Sequence, residues 1–152
     1  MRKFVATAIV ACLAVGVAFA ADAIKLELKD FKFEGSSEGV GYNEGDGKIF
    51  FYTNGKATQA AKIPEDGEYT ITIEASCDEA KGEKAKMSLK VGDLEVEKSF
   101  ELKATEMKEY TFKAKLKKGD PKLEIAFLND TYKENEYDLN MYIHSVKIEK
   151  KK

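Results

Sequence analysis

Apolar and polar positions alternate with period two along most of the chain. Tyr69, Ile71, Ile73 and Ala75 share one face, with Thr70, Thr72 and Glu74 opposite. The rhythm returns at Met87, Leu89 and Val91, and again at Tyr110, Phe112, Ala114 and Leu116. Successive side chains of a strand point to opposite faces, so each run predicts a half-buried strand. Residues 49–52, 123–128 and 139–148 form further apolar runs. Between the runs stand Asn54-Gly55, Asp66-Gly67, Gly92-Asp93 and Gly119-Asp120-Pro121, residues that favour turns. About eight or nine short strands with no long amphipathic helix is the rhythm of an all-β fold, an antiparallel β-sandwich.

Four places depart from the rhythm. Ile24, Leu26 and Leu28 alternate, then the phase shifts to Phe31 and Phe33, which predicts one strand with a bulge or bend near Asp30. Residues 35–47 are rich in Gly, Ser, Asn and acids and read as a long loop. Asn54-Gly55 predicts a hairpin turn into residues 57–63. The charged segment 78–84 reads as a loop with room for one helical turn.

The first twenty residues have a different character. Arg2 and Lys3 precede an apolar segment, 4–17, and Ala18-Phe19-Ala20 follows, the layout of a cleavable signal peptide cut after Ala20. Cys12 also allows a lipoprotein reading, but it lies early in the apolar run. The expectation is a secreted or periplasmic protein whose residues 21–152 form one domain. Cleavage leaves 23 basic against 27 acidic residues, a balance that argues against a nucleic-acid partner. Cys77 is then the single cysteine, so no internal disulfide forms and the core alone carries stability.

Catalytic groupings are sparse: one histidine, His144, and no nucleophile motif beside it. With one His and one mature Cys, the chain lacks the ligands a transition metal prefers. Oxygen ligands are another matter. Asp130, Glu134, Glu136, Asp138 and Asn140 crowd residues 129–140 between two strand-like runs. Such a set suits a hard cation such as calcium. The same residues also populate ordinary solvated loops, and no mid-loop glycine marks an EF-hand here. Composition leaves both readings open.

Phe127, Asn129 and Asp130, followed by Asp138, Asn140, Met141, Tyr142 and Ile143, form a pattern that resembles the calcium-dependent, xylan-binding carbohydrate-binding modules of family 60 and their relatives. The likeness extends to residues 64–75, 87–91 and 109–112. It implies a jelly-roll topology and Ca2+ held by Asp130, Asp138 and Asn140, with backbone carbonyls completing the shell. A calcium so held accepts vicinal sugar hydroxyls. Tyr132 and Tyr137, flanking the acidic positions, are candidates for the flat apolar contact with the sugar ring; Tyr42, Phe51 and Tyr52 are further candidates. His144 departs from the family pattern, which usually has an acid there. Asn129-Asp130-Thr131 also fits an N-glycosylation acceptor. The expected function is non-catalytic binding of a polysaccharide or oligosaccharide, with no membrane span. The rival is a periplasmic or surface interaction protein on the same sandwich.

Overall fold

The computed structural model describes residues 23–152; the expected signal peptide, 1–20, lies outside the described residues. The alternation is realised as two antiparallel sheets packed face to face. The strands are β1 (Ile24–Leu26), β2 (Lys32–Glu34), β3 (Val40–Asn43), β4 (Lys48–Phe51), β5 (Gly55–Ala60), β6 (Gly67–Cys77) and the short β7 (Glu79–Ala80) and β8 (Glu83–Lys84). They continue as β9 (Lys86–Val91), β10 (Leu94–Glu101), β11 (Lys108–Leu116), β12 (Lys122–Phe127), the short β13 (Tyr132–Lys133) and β14 (Tyr137–Asp138), and β15 (Met141–Lys150). The first sheet runs β11-β6-β15-β4-β3, with β1 also on β15; the second runs β10-β9-β12-β5-β2.

The inward positions are those the alternation marks. Ile71, Ile73 and Ala75 of β6, Ile143, Val146 and Ile148 of β15, and Leu123, Ile125 and Phe127 of β12 are all buried. Phe51 of the first sheet meets Phe127 of the second edge-to-face, with ring centroids 6.4 Å apart. Removing this apolar surface from water is the main stabilising term, at about 25 cal/mol per Å². Strand β15 sits between β6 on one side and β4 and β1 on the other, so the motif at its start is anchored in the middle of the sheet. Among the described residues no helix is long and apolar enough to cross a membrane.

The four irregular places resolve as follows. The phase shift at Leu28–Asp30 is a single 3₁₀ turn that carries the chain from β1 in the first sheet to β2 in the second. It is therefore not a bulge within one strand. Residues 35–47 contain β3, paired with β4 and closed by a turn in which the Asn43 side-chain oxygen accepts the N–H groups of Gly45 and Asp46. Asn54-Gly55 is not a hairpin turn, since β4 and β5 belong to different sheets. Gly55 permits the crossing: a Cβ there would meet Glu34 O and Val40 Cγ2 at 2.6 Å. Residues 78–84 form the small hairpin β7–β8 rather than a helical turn. Lys81 and Gly82 both take positive φ, 55° and 76°, the backbone a two-residue hairpin turn demands.

Candidate functional site

The chain leaves β12 at Phe127 and enters β15 at Met141, and the segment between folds into the hairpin β13–β14. Its pairing sets Tyr132 opposite Asp138 and Lys133 opposite Tyr137. Leu139 N–H donates to Thr131 O at 3.0 Å, so the register continues and brings Asp130 opposite Asn140. Residues two apart on a strand share a face. Asp130, Tyr132, Asp138 and Asn140 therefore project from one side of the hairpin, and Tyr137 from the other. Tyr137 is half-buried against the core, with the Lys81 ammonium 4.6 Å from its ring centre. Four of the five expected site residues come together, and Tyr137 does not join them. Of the other aromatic candidates, Phe51 is fully buried.

The hairpin is held from below. Asn129 Oδ1 accepts Lys86 N–H at 2.6 Å, and Asn129 Nδ2 donates to Lys84 O at 3.0 Å. With both ends of its amide occupied, Asn129 serves as a structural clamp. Asp130 N–H donates to Asn54 Oδ1 at 2.8 Å, tying the start of the hairpin to the crossing after β4.

Asp78, just beyond the end of β6, is the residue the sequence did not single out. Its Oδ2 accepts Asn140 Nδ2 at 2.9 Å and the Tyr142 hydroxyl at 3.3 Å. The only signal for it is long-range: β6 pairs with β15 so that Cys77 faces Met141, which brings the next residue beside Asn140. Because a carboxylate only accepts, Asp78 fixes which way the Asn140 amide turns. The Asn140 oxygen must face the other way.

That oxygen is buried and has no hydrogen-bond partner, and the same is true of Asp130 Oδ1. Of three such atoms among the described residues, two are here, the third being Gln59 Oε1. Burial, with the Asp138 carboxylate adding to it, holds the Asp130 carboxyl above its ordinary pKa. Burial first, then Asp78, pushes the Tyr142 phenol well above the ordinary tyrosine range. The site thus gathers electron-rich oxygen. Among the described residues no three His, Cys, Asp or Glu side chains gather closely enough to hold a metal by themselves. A cation here would need the Asn140 amide oxygen and backbone carbonyls as well, donors that calcium accepts.

The sequence pattern of a carbohydrate-binding module family described as Ca-dependent and xylan-binding, family 60, matches residues 70–152. This chain belongs to that family. Among curated proteins nothing matches it. Solved structures do share its fold. A family 36 carbohydrate-binding module of a multidomain xylanase from the hindgut metagenome of Trinervitermes trinervoides superposes with TM-score 0.65 at 16% identity, covering 86% of this chain and 98% of that one. A family 36 module in complex with calcium and xylotriose gives TM-score 0.57 at 20% identity, over 82% and 97% of the two chains. A family 35 module from Clostridium thermocellum gives 0.57 at 13% identity, over 84% and 98%. At these identities the likeness establishes the fold alone: the antiparallel β-sandwich that the alternation predicts, with the jelly-roll topology that the resemblance implies.

His144 of this module is the extra residue where the β15–β6 register shifts, between the pairs Ile143–Ala75 and Ser145–Glu74. It faces outward and its Nε2 is hydrogen-bonded to Ser76 Oγ at 2.8 Å. Burial, with Lys48 adding a smaller effect, lowers its pKa, against the opposing pull of Glu74. The neighbouring carboxylate, Glu74, accepts from Ser145 Oγ at 3.3 Å instead.

Proposed function

We propose that this protein is a non-catalytic module that binds a xylan-like polysaccharide through a calcium ion held by Asp130, Asp138 and Asn140. The observation that carries this reading is the pair of buried, partnerless oxygens, Asp130 Oδ1 and Asn140 Oδ1, on one side of one hairpin. A buried acceptor left without a donor costs about 1–3 kcal/mol, and a cation removes that cost at both atoms. Calcium takes roughly six to eight oxygens, so backbone carbonyls complete the shell. When bound, it offers open coordination positions to vicinal hydroxyls of a sugar.

The chain's own residues do the rest. Asp130 and Asp138 supply negative charge, and Asp78 positions Asn140 by holding its amide nitrogen. Tyr132, 64% exposed on the same side of the hairpin, offers a flat apolar ring to the pyranose beside the metal. Tyr137 steadies the hairpin against the core. Export behind residues 1–20, as a single module 21–152, belongs to the same proposal.

Titration calorimetry on chelator-treated protein tests it. Calcium should bind with Kd of roughly 10⁻⁵ to 10⁻³ M, the range of extracellular sites, and should strengthen binding of soluble xylan. Asp130→Ala should show neither response. Identical calcium heats for wild type and Asp130→Ala would overturn the site.

A further inference from the structure

Large aromatic side chains in a sandwich usually face the core, and a cluster of them on the outside of a sheet needs a reason. Phe50, Tyr52 and Tyr142 form such a cluster on the outer face of the first sheet. Register fixes one row across it, Gly41–Phe50–Tyr142–Ser76. Gly41 provides the bed: a Cβ there would meet Phe50 Cζ at 2.8 Å. Tyr52 stacks on the Phe50 ring at 4.7 Å and 28°. Tyr142 stands edge-on to Tyr52 at 6.2 Å, its hydroxyl held by Asp78 and its ring under the Lys48 ammonium at 4.6 Å. The rings are thus fixed in place before any partner arrives, and Tyr52 is 41% exposed.

The placement is selective. Farther along the same outer face, β6 and β11 present Thr70, Thr72, Thr111 and Lys113. On the other sheet the central rows read Thr58–Glu124–Lys90 and Lys56–Ala126–Ser88, with no ring among them. Among the described residues, the outward-facing aromatic side chains of the two sheets lie in the half of one face that borders the hairpin 129–140. One carboxylate oxygen, Asp78 Oδ2, accepts from both Tyr142 and Asn140, so the two surfaces are continuous.

We infer that this face is a second glycan-binding surface, centred on Tyr52 and independent of the metal. A pyranose presents a flat C–H face and a rim of hydroxyls. Tyr52, backed by Phe50, matches the first, and Lys48, Ser76 and His144 beside the neighbouring Tyr142 match the second. Protein is the poorer match. Three rings, two of them half-buried, present far less than the ~800 Å² each partner commits to a stable interface, whereas a single sugar ring covers one tyrosine. The inference stands without the calcium reading, because no oxygen assigned to the metal belongs to this platform.

Affinity electrophoresis of the full chain in native gels containing soluble xylan, with chelator throughout, tests it. The wild type should be retarded. Tyr52→Ala should run as it does without xylan, its apparent Kd raised roughly tenfold or more. Tyr52→Phe should keep the retardation. Tyr52→Thr should repeat the loss if the alanine variant folds poorly. No retardation of the chelated wild type would overturn the inference, as would full retardation of Tyr52→Thr. A change in sedimentation of the free protein on losing Tyr52, with xylan binding intact, would instead make the face a protein contact. Failure of the calcium reading shows separately, as an Asp130→Ala protein whose calcium heats match the wild type.

Discussion

Asn129 and Asn140 stand at the two ends of one hairpin and use their amides in opposite ways. Asn129 has a backbone donor on its oxygen and a backbone acceptor on its nitrogen. Asn140 has its nitrogen on Asp78 and nothing on its buried oxygen. The first region is complete as folded, and the second is left wanting a positive partner. A satisfied buried amide is a structural device, and a buried oxygen without a donor is the feature on which the proposed calcium site rests. The difference separates residues that build the hairpin from residues that use it.

The widest gap between the two ends should appear in stability. Asn129→Ala strands the Lys86 N–H and the Lys84 carbonyl together and should cost about 2 kcal/mol. Urea unfolding should show the loss equally with calcium and with chelator. A loss under about 0.5 kcal/mol would mean water replaces the amide, and the contrast with Asn140 would weaken.

Asp130 should show the reverse behaviour, on a smaller scale. Its carboxyl is held above the ordinary value of 3.8 by burial, then by Asp138, so the native state binds that proton more tightly than the unfolded chain. The stability this contributes is present in acid and is lost as pH rises through the raised pKa. In chelator near neutral pH, Asp130→Asn should therefore melt higher than wild type, by about 1–3 °C. The gap should close below about pH 4. Saturating calcium should reverse the order, because only the wild type gains from binding. An Asp130→Asn protein that melts lower than wild type in chelator would show that the charge is already compensated without a cation.

The smallest effect sharpens the comparison at the rim. Burial lowers His144 below its ordinary 6.5, with Ser76 bonded to it, Lys48 opposing the charged form and Glu74 favouring it. A base with a depressed pKa contributes stability that is present above the unfolded value and is lost as pH falls. His144→Asn should flatten the melting temperature between about pH 7 and 5, by about 1 °C or less. An unchanged slope in that variant would assign the acid-side loss to other groups.

Much of the hairpin itself was legible. Asp130, Asp138, Asn140 and Tyr132 lie close in sequence, and a two-residue repeat across a short turn brings them to one side. Tyr137 lies apart from them because an odd offset across the same turn sends it to the opposite side, under Lys81. Asn54-Gly55 misled for a related reason. Its turn chemistry is real, but whether a turn closes a hairpin or crosses between sheets depends on where the next strand finds its partner.

By itself the sequence determined most of the longer strands, their inward faces and the all-β class, since alternation is a local property that burial of one face enforces. It also placed the oxygen-rich segment between the last two long strands. Only the tertiary structure decided that Asp78 holds Asn140 across 62 residues, that β3 pairs with β4, and that Phe50, Tyr52 and Tyr142 share an outer surface. Those outcomes follow from strand order and register. Both are set by the whole core packing at once, and no short window of the chain encodes them.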